Sequence, residues 1–139
     1  MGLTDVVVAP RTAASAVAAA DLPCEAFPGF DAKGLDLIMV ATLRAIVTRT
    51  PYDDRYVPGE PIAHRGLETG PWVFELAPEF VEALAASSPA ATAQAAAEWA
   101  ATEEVAASGI EARDLLEQLV THARRARAEG ASMMLWVSL

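Results

Sequence analysis

One cysteine, two histidines and ten basic side chains are what this 139-residue chain has least of, and each scarcity removes a class of chemistry. Cys24 alone excludes an intramolecular disulfide, a multi-cysteine zinc cluster and a C-x-x-C redox pair. With two histidines a dense metal site is excluded as well. A zinc site from His64, His122 and carboxylates would lack the ligand spacing such sites show, so no metal is expected. Ten Lys and Arg stand against nineteen Asp and Glu, a net charge of -9. Nucleic acid and anionic membrane need clustered positive charge and are therefore poor partners, whereas a basic protein or cationic ligand is electrostatically favoured.

Long hydrophobic runs are missing too. None approaches the length that spans a bilayer. The apolar run VVVA after Asp5 is too short for a signal-peptide core, and a cytoplasmic location is expected. A phosphate-binding G-x-x-x-x-G-K-[ST], a G-x-G-x-x-G after a strand, a G-x-S-x-G elbow, an H-E-x-x-H helix and a calcium loop are all absent, so no cofactor is expected.

What is present is apolar substance. Hydrophobic residues make up 53% and charged residues 21%, enough to bury a core and offset chain entropy within one domain, residues 1–139. DVVVA, from Asp5 to Ala9, is β-branched, is closed by Pro10, and predicts a strand. Thr12 to Ala20 predicts a helix. Phe27 and Phe30, in the turn-rich segment that follows, are expected to plug the core. Leu35 to Thr48 predicts a central buried helix with Asp36 as its N-cap.

The twenty or so residues TPYDDRYVPGEPIAHRGLETGP carry no period and are longer than most connections. WVFEL, Trp72 to Leu76, alternates as a strand does. Pro78 opens a short helix through Ala86. Ser88-Pro89 opens a long Ala-rich helix ending near Ser108-Gly109, with a packing stripe of Thr92, Ala95, Ala96, Trp99, Glu103 and Ala106. Glu111 to Glu129 predicts an amphipathic helix burying Leu115, Leu116, Leu119, Val120 and Ala123, with Gly130 as its stop.

The last residues, SMMLWVSL, are among the most apolar in an acidic chain. They predict a third strand beside DVVVA or WVFEL that draws the terminus into the core. The competing reading is an edge strand that pairs with another chain, giving a homodimer or partner interface. The fold expectation is α+β, four or five helices on a sheet of about three short strands, with an all-helical bundle as runner-up.

For chemistry, Glu103 is the most informative helical residue. One turn past Trp99 on a packing stripe, it would be a partly buried carboxylate fit for proton transfer, or an edge residue paired with an arginine. Cys24 lies beside Glu25, a neighbour that disfavours the thiolate, and a triad of Cys24, His64 and an acid would have to be assembled across space. His122 reads as solvated. The long loop combines aromatic anchors with charge at Tyr52, Arg55, Tyr56, His64, Arg65 and Trp72, the composition of a binding surface; the alternative is a connection pinned by its prolines.

GPWVFELAPEFVEALA, EWAATEE and LEQLVTHARRARAEGASMMLWVSL together resemble a group of small uncharacterised bacterial proteins that share a W-A-x-T-E-E segment, a late basic helix and a terminal L-W-x-x-L strand. The resemblance covers the distal half. It implies a bacterial, stand-alone domain and brings no activity, cofactor or catalytic residue. The functional expectation is a non-enzymatic binding module, for example an immunity-type or regulatory inhibitor of a basic protein. The alternative is a small enzyme or small-molecule binder using Glu103 and His64 in a pocket between helix and sheet.

Overall fold

A computed structural model describes residues 3–139. Its centre is the C-terminal stretch. Strand β1 (Leu3–Ala9) and strand β5 (Ser132–Ser138) pair antiparallel along their whole length, and β4 (Trp72–Glu75) pairs with the other side of β5. Two short strands, β2 (Gly29–Asp31) beside β1 and β3 (Ala63–His64) beside β4, complete an antiparallel sheet of order β2-β1-β5-β4-β3.

The apolar terminus follows from this placement. A strand in the middle of a sheet covered on both faces must be apolar on both faces. Met133, Met134, Leu135 and Trp136 are all buried. Leu139, just beyond the strand, is exposed. Both edges of β5 are bonded within the chain, so the expected alternative, an edge strand offered to another copy, does not hold.

Alternation along the strands divides the core. Val6, Val8, Phe74, Met133 and Leu135 face one side, where they meet α3 (Leu37–Thr48), α4 (Pro78–Ala85), α5 (Pro89–Ala100), α6 (Glu103–Ser108) and α7 (Ala112–Glu129). Val7, Ala9, Val73, Met134 and Trp136 face the other, against α1 (Ala14–Ala19) and the single turn α2 (Pro23–Ala26). The large core is pinned by Trp99, fully buried, whose Nε1–H donates to the Met39 carbonyl at 3.1 Å and ties α5 to α3. Phe27 and Phe30 are half-buried, one against each core.

The helix starts are chemically explained. The Asp36 carboxylate accepts from the Met39 N–H at 2.8 Å, and Ser88 Oγ from the Ala91 N–H at 3.1 Å, each satisfying a donor that a first turn leaves free. At the far end of α7, Gly130 takes the left-handed conformation that stops the helix.

The expectation of four or five helices on three strands is corrected. Among the described residues there are seven α-helices and five strands. The two extra strands have three and two residues, too few for a period to show. Gly29 admits β2 to the sheet, because a Cβ there would stand 2.2 Å from the Val6 carbonyl oxygen. One added helix is the α2 turn. The other comes from a break in the Ala-rich helix at Ala101–Thr102, where Thr102 Oγ donates to the Trp99 carbonyl at 2.6 Å and its own carbonyl accepts from the Ala106 N–H as a new helix begins. Thr102-Glu103-Glu104, a cap-type residue followed by two acids, is a helix-start signal.

Candidate functional site

The break in the Ala-rich helix decides the fate of Glu103. It stands in the first turn of α6, exposed, and is off the stripe that Trp99 continues. Ala106 is exposed for the same reason. His64 lies exposed on β3, at the far edge of the sheet. The cleft of about 540 Å³ among α3, α4 and α5 has neither residue in its wall. A proton-transfer pocket built on Glu103 and His64 is therefore not what the fold assembles.

Residues 50–71 do form an organised unit. Asp53 to Tyr56 make a tight turn in which the Asp53 carboxylate accepts from both the backbone N–H and the guanidinium of Arg55, at 2.9 and 2.8 Å. Those contacts hold the Asp53 carboxyl down at about 2. Tyr56 folds back onto α3. Its ring lies 4.2 Å under the Arg44 guanidinium, and its hydroxyl bonds Thr50 Oγ at 2.8 Å.

Arg65 is a second anchor. Its guanidinium donates to the carbonyls of Ala18 at 3.2 Å and Ala20 at 2.9 Å, where α1 ends, and meets the Asp21 carboxylate at 3.1 Å. Trp72 is the third. Its ring lies over Gly70, where a Cβ would stand 2.7 Å from the indole, and its Nε1–H donates to the Leu67 carbonyl at 2.8 Å.

The six loop residues singled out by composition thus divide. Tyr56, Arg65 and Trp72 hold the loop to the body. Tyr52, Arg55 and His64 face outward, joined by Leu67, exposed and not singled out by the composition. Arg55 is spent on Asp53 and Arg65 on Asp21, which leaves Asp54, Glu60 and Glu68 exposed without an ion-pair partner among the described residues. The outward surface is acidic with apolar points.

The large cleft adjoins this unit through Thr50, which lines it. Ile46 and Val47 of α3, Ala83 of α4 and Ala91 and Ala95 of α5 supply its apolar wall. Arg49, Gln94 and Glu98 supply its polar groups. Arg49 closes α3 in the left-handed conformation at φ 54°, unusual for a residue with a Cβ.

Cys24 is half-buried in a cleft that Asp5 also lines. Burial first, then the charge of Asp5, pushes its thiol up to about 12. The disfavoured thiolate was expected, but from Glu25. His64 lies exposed on the edge strand β3 and does not line the cleft that holds Cys24. His122 is half-buried rather than solvated, its ring centroid 4.9 Å from that of Phe30 and its Nδ1 2.8 Å from the Gln118 carbonyl. Among the described residues no group of three or more His, Cys, Asp and Glu side chains is placed to hold a metal ion, and no helix is long and apolar enough to cross a membrane. Comparison of the chain with profiles of known families, with curated proteins and with solved structures finds no match.

Proposed function

We propose that the protein is a binding module that holds a basic protein partner through the loop 50–71 and the cleft beside it. The observation that carries this reading is the division of labour in the loop. Three of its side chains are spent on anchoring, while Tyr52, 47% exposed, and Leu67, 67% exposed, stand free among unpaired carboxylates. The anchoring fixes the loop in one shape while leaving those points outward. A segment already held in its bound shape has less freedom to lose on association. Acidic charge steers a basic partner toward it, and exposed aromatic and aliphatic points supply the desolvated contacts.

The test compares cross-linked complexes of the wild-type chain with those of a Tyr52→Ala, Leu67→Ala double variant, read by mass spectrometry at low and at high salt. The reading expects a basic protein recovered by the wild type, lost in the double variant and weakened by salt. Identical recovery by both chains would sink it.

A further inference from the structure

The cleft among α3, α4 and α5 carries one charge of each sign, and the helices hold the two apart. Glu98 adjoins Trp99, whose indole N–H donates to the Met39 carbonyl in the first turn of α3. Arg49 closes the other end of α3, about 15 Å of helix rise beyond Met39. The two side chains therefore enter the cleft from opposite ends. Ile46, one turn back from Arg49 along α3, and Ala95, one turn back from Glu98 along α5, lie on the apolar stretch between them.

Both charges are open. Neither Arg49 nor Glu98 has an ion-pair partner among the described residues. Glu98 takes only a long bond from the Gln94 amide, at 3.5 Å. The hydroxyls in the wall are already used: Thr50 Oγ bonds the Tyr56 hydroxyl and Ser87 Oγ bonds that of Thr92, each at 2.8 Å. In a chain of net charge -9 this cleft is balanced, and its volume of about 540 Å³ is that of a small-molecule site. A ligand of one sign would meet one of these charges and leave the other facing an apolar end.

We propose that the cleft binds a zwitterion whose charges stand at the two ends of an apolar body, its carboxylate on Arg49, its ammonium on Glu98 and its body against Ile46, Val47 and Ala95. The wall runs along α5 from Ala91 to Glu98, about 10 Å, which sets the length of that body. An extended tripeptide spans about the same length, as does an eight-carbon ω-amino acid. Such a ligand would compete with a protein partner for the cleft, and it needs neither Tyr52 nor Leu67.

The full chain, with ¹³C in its isoleucine methyl groups, is titrated with 8-aminooctanoate, octanoate, octylamine and the tripeptide valyl-alanyl-valine. The resonance followed is the Ile46 methyl, assigned by its loss in Ile46→Val. 8-Aminooctanoate should move it saturably. Arg49→Gly removes the guanidinium while supplying the residue that a left-handed helix stop favours, so α3 still ends there. That variant should weaken 8-aminooctanoate and octanoate about two- to fivefold, the worth of an exposed ion pair, and leave octylamine unchanged. Glu98→Gln should weaken 8-aminooctanoate and octylamine by about the same factor and leave octanoate unchanged. The tripeptide bound as tightly as 8-aminooctanoate, or more so, marks a short peptide as the natural source; 8-aminooctanoate bound alone marks an unbranched amino acid. The Tyr52→Ala, Leu67→Ala variant should bind 8-aminooctanoate as the wild type does, so this proposal and the partner reading fail separately. An Ile46 methyl that does not move, or a zwitterion weakened by only one of the two cleft variants or by neither, overturns the proposal.

Discussion

Arg65→Ala is the perturbation that most directly tests the pinned loop. Arg65 donates to two carbonyls at the end of α1, Ala18 and Ala20, groups that a helix end leaves without partners. A hydrogen bond from a charged donor contributes about 1.5–3 kcal/mol when well protected. The Arg65 side chain is 43% exposed, which reduces each bond to about 1 kcal/mol by solvent screening. The pair with Asp21, itself 89% exposed, adds about 0.5 kcal/mol at most. Arg65→Ala should therefore cost about 2 kcal/mol in urea unfolding, or roughly 6–8 °C in Tm for a chain of this length. Hydrogen exchange should quicken about tenfold or more at the amides of Ile62 and Arg65, which donate to Val73 and Pro71. Arg65→Lys should lose most of the same stability, since one ammonium cannot reach three acceptors in a fixed fork. Asp21→Asn should cost about 0.5 kcal/mol or less. If Arg65→Ala stays within about 0.5 kcal/mol of the wild type, or Asp21→Asn is as costly as Arg65→Ala, the anchor is only a surface ion pair and the reasoning fails.

Three other outcomes are expected. Trp99→Ala should destabilise by about 3–5 kcal/mol in chemical denaturation, because it removes the largest fully buried side chain and the bond from α5 to Met39. Cys24, with its thiol near 12 against an ordinary 9.0, should react with iodoacetamide at pH 8 about a thousandfold more slowly than an unperturbed thiol, and Asp5→Asn should speed the reaction. Burial, the foremost cause, raises the Asp5 carboxyl above its ordinary 3.8, so the folded chain holds that proton more tightly than the unfolded one. The contribution is fully present below the unfolded value and is lost as pH rises through the folded one. Asp5→Asn should gain stability relative to the wild type from about pH 4 upward and then level off; a gain on acidification instead would contradict the burial argument.

Much of the frame was legible because it rests on local signals. DVVVA, WVFEL and SMMLWVSL are β1, β4 and β5 to within a few residues, and Asp36 and Ser88 cap the helices they precede. The Thr102-Glu103-Glu104 start was there to be read, but an Ala-rich run propagates helix so readily that its stripe hid the break. Glu103 was misplaced with it. In the loop, composition singled out residues without their roles: whether Tyr56 is offered or folded back depends on Arg44, which lies on another element.

Composition and local pattern by themselves determined an acidic chain with an apolar core, an apolar C-terminal strand and amphipathic helices, since charge, alternation and capping act within a few residues of one another. Tertiary structure alone decided that β5 lies between β1 and β4, that Asp5 faces Asp31 beside the unpartnered indole of Trp136, and that Arg65 ends α1 from 47 residues away. Those are relations between side chains distant along the chain, and only the register of strands and the packing of helices brings them within hydrogen-bond reach.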